Sequence, residues 1–251
     1  MPACFCFCLR ILAKPEGARP VLMGFDDSEV AGACVSDIIK AGVLPVAIEY
    51  MDRKVIEVVE NYAKAGYPDC EALLIVEVEG SPAEIDEQLG LIKQIAAKHD
   101  PVELREAQDA EEAGRIWLGR KSAFGAMGQI NDYMCLDGTI PVSSLPYVLR
   151  RIGEMSKEYG LDVGNVFHAG DGNMHPLILF DANKPGDLEK TEALGAEILN
   201  LCVEVGGCLT GEHGVGIDEA IVDRHRLEVA TLRELLVGEG DPEAPPVVLL
   251  G

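Results

Sequence analysis

Two rhythms of hydrophobic and polar positions organise this chain: short continuous apolar runs, and longer stretches with apolar residues three and four apart. Val21 to Phe25 is a run of the first kind and predicts a strand. Asp26, Asp27 and Ser28 then offer an N-cap for an amphipathic helix that closes near Gly42. Val46 to Tyr50 predicts a second strand, and Asp52 opens a helix that stops at Gly66. Leu73 to Val78 is a strand rich in Leu, Ile and Val. Ser81-Pro82 leads into a helix reaching about Lys98, with Pro82 in the first turn, where its missing N–H costs nothing. Val102 to Arg105 follows as a strand and Asp109 to Gly119 as a short helix carrying Trp117. Further on, Leu145 to Tyr159 is helical, Val163 to His168 and His175 to Phe180 are the arms of a hairpin, and Asp187 to Val205 is a long helix. The segment from Gly238 onward, dense in Gly and Pro, reads as loop or disorder. No repeat of fixed period occurs. The order β-α-β, β-α-β, then helix and hairpin predicts an α+β fold, with ferredoxin-like βαβ units and a mainly antiparallel sheet covered by helices.

Charge narrows the partners. Acidic residues number 43 against 21 basic, a net charge of −22 in 251 residues. Such a surface repels phosphate backbones and anionic membranes, so nucleic acid is excluded as a partner. An anionic substrate needs a basic residue placed locally in its pocket. No apolar run reaches the roughly eighteen residues that span a bilayer, so direct membrane insertion is not expected. Met1 to Leu12 is apolar but interrupted by Arg10, without a basic start or a small-residue cleavage site, and does not read as a signal peptide. The eight cysteines are irregularly spaced and suit a reducing cytoplasm better than a disulfide scaffold. Cys4, Cys6 and Cys8 alternate as one face of a strand does.

The candidate chemistry lies in His168-Ala-Gly-Asp-Gly-Asn-Met-His175 and, downstream, Gly211-Glu212-His213-Gly214. Asp171-Gly172 is a hairpin signal, because the central positions of a tight primed turn take positive φ. With those two residues as the turn, His168 and His175 face each other with Cβ atoms roughly 5 Å apart. Two imidazoles at that separation can share a metal ion, Glu212 can add a hard oxygen ligand, and His213 stands beside the metal as a base. Buried, hydrogen-bonded histidines are the alternative for any one of these residues. Against it stands the clustering of three of the chain's five histidines with a carboxylate and several glycines. Nucleotide-binding folds are disfavoured. Gly170-Asp-Gly172 sits inside a hairpin with His175 in place of the third glycine, Gly211-x-x-Gly214-x-Gly216 has the wrong spacing, and no Walker A sequence occurs.

At these residues the chain resembles a known family. Asn165-Val-Phe-His168-Ala-Gly-Asp-Gly-Asn-Met-His175-Pro-Leu-Ile-Leu-Phe-Asp-Ala-Asn183 is similar to the C-terminal (substrate, or cap) domain of FAD-linked oxidases of the vanillyl-alcohol-oxidase type. Within that group the likeness is to the FAD-linked subunit of glycolate oxidase and to D-lactate dehydrogenases. Leu201-Cys-Val-Glu-Val-Gly-Gly207 with Thr210-Gly-Glu-His-Gly214, Trp117-Leu-Gly-Arg120-Lys-Ser-Ala-Phe-Gly-Ala-Met127 and Asp137-Gly-Thr-Ile-Pro141 support it. The likeness runs from about Leu9 to about Ile217. It divides the chain into a leader at 1–20, the cap domain at 21–217 and a divergent tail at 218–251.

The resemblance implies oxidation of a small 2-hydroxy acid, of glycolate or D-lactate type, to the 2-oxo acid, with hydride passing to FAD. It implies His168, His175 and Glu212 as ligands of a divalent metal (Zn, Mn or Fe), His213 as the base that takes the hydroxyl proton, and Arg120 with Lys121 as cations for the substrate carboxylate. In that family FAD is bound mainly by a separate N-terminal domain with its own glycine-rich loop, which this sequence lacks. FAD-binding and iron-sulfur partner subunits are therefore expected, in the cytoplasm, with membrane association only through partners. Asn173 and Asp171 are read as shaping the turn, and Trp117 as core. One alternative is a non-catalytic fragment or subunit-like cap module that needs a separate FAD-binding chain. Another is a metal-dependent hydrolase using the same ligands with a metal-bound water.

Overall fold

The computed structural model of the protein describes residues 14–212. His213, the leader up to residue 13 and the tail at 218–251 lie outside the described residues. The first half is built from β1 (Gly17–Phe25), α1 (Ser28–Lys40), β2 (Ala47–Asp52), α2 (Arg53–Ala63), β3 (Ala72–Gly80), α3 (Pro82–Ala96) and β4 (Glu103–Glu106). The helices start where short polar side chains can take up their first N–H groups. Asp27 accepts from Glu29 N and Val30 N, Asp52 from Val55 N, and Ser81 forms a reciprocal capping box with Glu84. These strands lie side by side in the order β4-β1-β3-β2, with every pair antiparallel. That is the split βαβ arrangement of a ferredoxin-like unit, with α2 inserted between its second and third strands.

The second half holds α4 (Ala110–Met127), β5 (Asp132–Cys135), β6 (Gly138–Thr139), α5 (Leu145–Tyr159), β7 (Val163–His168), β8 (Asn173–Met174), β9 (Pro176–Phe180) and α6 (Asp187–Glu204). β7 adds to β2 in antiparallel register and carries β8 and β9 on its other edge. β6 pairs with β8, and β5 with β9. The sheet thus forks at β7. Side chains alternate across it and feed two cores. Ile48, Tyr50 and Phe167 share one face with residues of α1, α3, α5 and α6, and the Tyr50 and Phe167 rings stack 4.7 Å apart. Met51, Leu73 and Ile75 face α2 and α4 on the other.

Three sequence expectations change. α4 does not stop at Gly119 but continues to Met127. A Cβ at Gly119 would lie 2.3 Å from the Tyr67 hydroxyl oxygen, so the glycine admits a packed tyrosine whose hydroxyl donates to the Ile116 carbonyl at 2.5 Å. β5 and β6 were not expected, because segments this short carry little periodicity. The hairpin turn also spans four residues (169–172) rather than two, so the residue opposite His168 is Asn173, not His175. Only Gly172 takes positive φ, at +71°; Gly170 N instead donates to Ile48 O at 3.1 Å, tying the turn to β2.

A Cβ at Gly172 would stand 2.1 Å from the Ile140 carbonyl oxygen in addition to its backbone strain. Gly172→Ala is expected to destabilise the chain by about 2–3 kcal/mol, read as a lowered urea midpoint at unchanged slope. An unchanged midpoint would show that the turn relaxes freely.

Candidate metal centre

His168 ends β7, His175 sits between β8 and β9, and Glu212 follows a ribbon that returns to β6; together they converge on one point. One donor atom from each lies within 4.8 Å of the others. The two imidazole rings meet edge to face, centroids 5.5 Å apart and planes at 84°. His175 Nε2 stands 3.7 Å from Glu212 Oε2. The longer turn therefore offsets the histidines along the strands but leaves them on one face.

Each ring is oriented through its Nδ1. His168 Nδ1 contacts Glu49 Oε1 at 2.8 Å, and His175 Nδ1 contacts the Leu136 carbonyl at 3.1 Å. A carbonyl or carboxylate oxygen only accepts, so each Nδ1 carries the proton and, in the neutral ring, Nε2 carries the lone pair. This is how metal-binding histidines are held. The hydrogen bond to Glu49 raises the His168 pKa above its ordinary value, against the opposing effect of burial. The donor set fits a divalent ion. Of the three, His175 is buried and the Glu212 side chain is half exposed.

Glu49 was not foreseen. It is a buried acid on β2, facing α4, and its Oε2 receives Nη2 of Arg120 at 2.8 Å and Nε at 3.0 Å. One carboxyl group thus bridges His168 and Arg120. A charged residue inside the apolar run from Val46 to Met51 was the available signal. Arg120 is buried beside the histidines, whereas Lys121, one position on, is exposed and is not among the residues that converge here. Asp137, which opens the Asp137-Gly-Thr-Ile-Pro141 motif, accepts at Oδ2 from Thr210 Oγ1, Gly211 N and Glu212 N. Asn173 is buried and Asp171 exposed in the turn. Trp117 lies against the α2–α4 core and donates Nε1–H to Glu77 at 2.7 Å. A cavity of about 290 Å³ opens beside His168 and Glu49, walled by Leu44, Val46, Ile48 and Asp171.

Comparison with known proteins shows the family of the chain. Residues 14–235 match the family model described as FAD linked oxidases, C-terminal domain, a range that runs past Ile217. The chain is 50% identical over 210 residues to the glycolate oxidase subunit GlcD of Escherichia coli K12, covering 83% of this chain and 42% of that protein. It is 33% identical to the glycolate oxidase subunit GlcD of Bacillus subtilis, covering 83% and 45%, and 28% identical to a D-lactate dehydrogenase of Archaeoglobus fulgidus, covering 83% and 45%. It spans under half the length of these relatives. A p-cresol methylhydroxylase structure superposes with a TM-score of 0.62 at 15% identity, over 89% of this chain and 51% of the other, a likeness of fold.

Removing one member of a buried ion pair strands the other. Glu49→Leu is expected to cost about 3–5 kcal/mol, measured by chemical denaturation, because Arg120 then keeps its charge without a partner. A loss under about 1 kcal/mol would mean that water reaches the guanidinium.

Proposed function

The chain belongs to the family of FAD linked oxidase C-terminal domains, and on that basis we propose that it supplies the metal- and substrate-binding half of an enzyme oxidising a small 2-hydroxy acid, of glycolate or D-lactate type, to the 2-oxo acid. The observation that carries the reading is the convergence of His168, His175 and Glu212, with both imidazoles oriented through Nδ1. Two imidazoles and a carboxylate suit Zn, Mn or Fe. The names of the relatives, glycolate oxidase subunit and D-lactate dehydrogenase, support the substrate class.

A metal held by His168, His175 and Glu212 would supply Lewis-acid polarisation of the substrate hydroxyl, and a flavin held outside the described residues would supply the hydride acceptor. Arg120 is the cation proposed for the substrate carboxylate. Glu49 receives its Nε and Nη2, while Nη1 makes no hydrogen bond among the described residues and is the part of the fork left for substrate. His213, next in sequence to Glu212, is assigned as the base for the hydroxyl proton. Apolar walls at Leu44, Val46 and Ile48 suit the small side chain of such an acid.

The described residues do not fit the diphosphate of FAD. The helix starts of α1, α2, α3 and α4 are closed by the chain's own Asp27, Asp52, Ser81 and Asp109; that of α5 carries Pro146 in its first turn, and that of α6, which has no side-chain cap, carries Asp187 and Glu189, whose charge opposes a phosphate. We therefore assign FAD to residues or a partner chain outside this region. The same observation favours a second reading, a cap module that docks onto a separate FAD-binding chain, and the word subunit in the relatives' names is in keeping with it. Among the described residues no helix is long and apolar enough to cross a membrane.

The purified chain is expected to hold about one divalent ion, lost on His168→Ala or His175→Ala. Elemental analysis finding no metal, in both wild type and a metal-reconstituted sample, would overturn the ligand assignment. In the FAD-containing assembly, His213→Ala is expected to lower turnover by roughly a hundredfold while metal content is kept. Undiminished turnover would remove the base assignment.

A further inference from the structure

Resting on the metal reading above, we propose that Asp137 is a positioning residue that holds Glu212 against the histidine pair and thereby sets the affinity of the centre. Three donors converge on its Oδ2: Thr210 Oγ1 at 2.8 Å, Gly211 N at 3.2 Å and Glu212 N at 2.7 Å. Gly211 N also reaches the Asp137 backbone carbonyl at 2.7 Å. Two successive backbone N–H groups around one carboxylate oxygen form a nest, an arrangement whose strength depends on negative charge. Asp137 is buried, so solvent does not compete for these contacts.

The residue is well placed to act on both ligands. The preceding Leu136 offers the carbonyl that orients His175, and Asp137 Oδ1 lies 3.9 Å from His175 Nδ1. The following Gly138 and Thr139 pair with Met174 and Asn173 of the hairpin that bears the histidines. Thr139 also exchanges two hydrogen bonds with Cys208, at 2.9 and 3.0 Å, which lays the ribbon leading to Glu212 alongside. The stretch 136–139 is thus attached to the histidine hairpin on one side and to the Glu212 turn on the other. Glu212 is itself half exposed, and a solvent-facing ligand loses rotamer entropy when it binds. Fixing its backbone from Asp137 removes the backbone share of the ordering cost and leaves only that of the side chain.

The experiment is a Co²⁺ titration of the metal-free full chain, followed by calorimetry and by the visible bands of the bound ion. Wild type, Asp137→Asn, Glu212→Gln and the double variant are compared, with the thermal midpoint of each metal-free protein recorded alongside. Asp137→Asn keeps the shape but not the charge and is expected to weaken Co²⁺ binding by roughly 10–100-fold and to shift the visible bands. Because the effect passes through Glu212, the same change in the Glu212→Gln background is expected to add less than about threefold. Binding by Asp137→Asn within about threefold of wild type, or an equal loss in both backgrounds, overturns the proposal. A lowered thermal midpoint with unchanged affinity also overturns it, leaving Asp137 a stability residue only. If Asp137→Asn fails to fold, Thr210→Val, which removes one of the three donors, is read instead. A loss of about threefold or more supports the proposal, and unchanged affinity overturns it. A wild-type chain that takes up no Co²⁺ fails the metal reading itself, and the proposal falls with it.

Discussion

A carboxyl group buried between a guanidinium and an imidazole is the constraint around which the site is arranged. Glu49 lies inside a strand whose neighbours are apolar, and it is tolerable there only because Arg120 meets one oxygen and His168 the other. That requirement fixes three elements relative to each other: β2, which bears the acid, α4, which delivers the guanidinium, and β7, which delivers the imidazole. A shift of α4 along the sheet would leave Arg120 and Glu49 as separate buried charges. The close seat of Tyr67 over Gly119 opposes such a shift, one residue from Arg120. Packing and electrostatics therefore demand the same helix position.

From that anchor the rest of the centre follows by hydrogen bonding outward. His168 is oriented by Glu49, its hairpin crosses to β6 and β9, and the β5–β6 stretch supplies the Leu136 carbonyl that orients His175. The fork in the sheet matters here. A plain hairpin on β7 would have continued as a single strand. Splitting the return into β8 and β9 leaves His175 at the break, where its ring can turn toward both the Leu136 carbonyl and Glu212. Among the described residues, an acid-rich chain thus places one well-supported arginine beside the two histidines.

Much of the architecture was legible in the chain. The strands and helices of the first half fell where apolar period and capping residues put them, because Asp27, Asp52 and Ser81 act on N–H groups two or three residues away. The ferredoxin-like order followed from the alternation of elements. The hairpin register did not, since Asp171-Gly172 is equally at home in a two-residue and a four-residue turn. The choice lay with Ile48 and Ile140, whose backbone groups bond the turn from elsewhere in the chain. Gly119 looked like a stop signal for α4 because its use, contact with Tyr67, is invisible along the helix itself.

The sequence by itself determined the residue types of the centre: two histidines around a glycine-rich turn, a glutamate-histidine pair downstream, and an arginine after the tryptophan. These types are able to serve metal and carboxylate chemistry when they are brought together. Only the tertiary structure decided what supports them. Glu49 meets His168 across 119 positions and Arg120 across 71, and Asp137 meets Glu212 across 75. Contacts at such separations leave no period and no spacing in a one-dimensional pattern. They exist because an antiparallel sheet lays distant strands about 5 Å apart, and because buried charge is stable only where a partner from another part of the chain arrives to meet it.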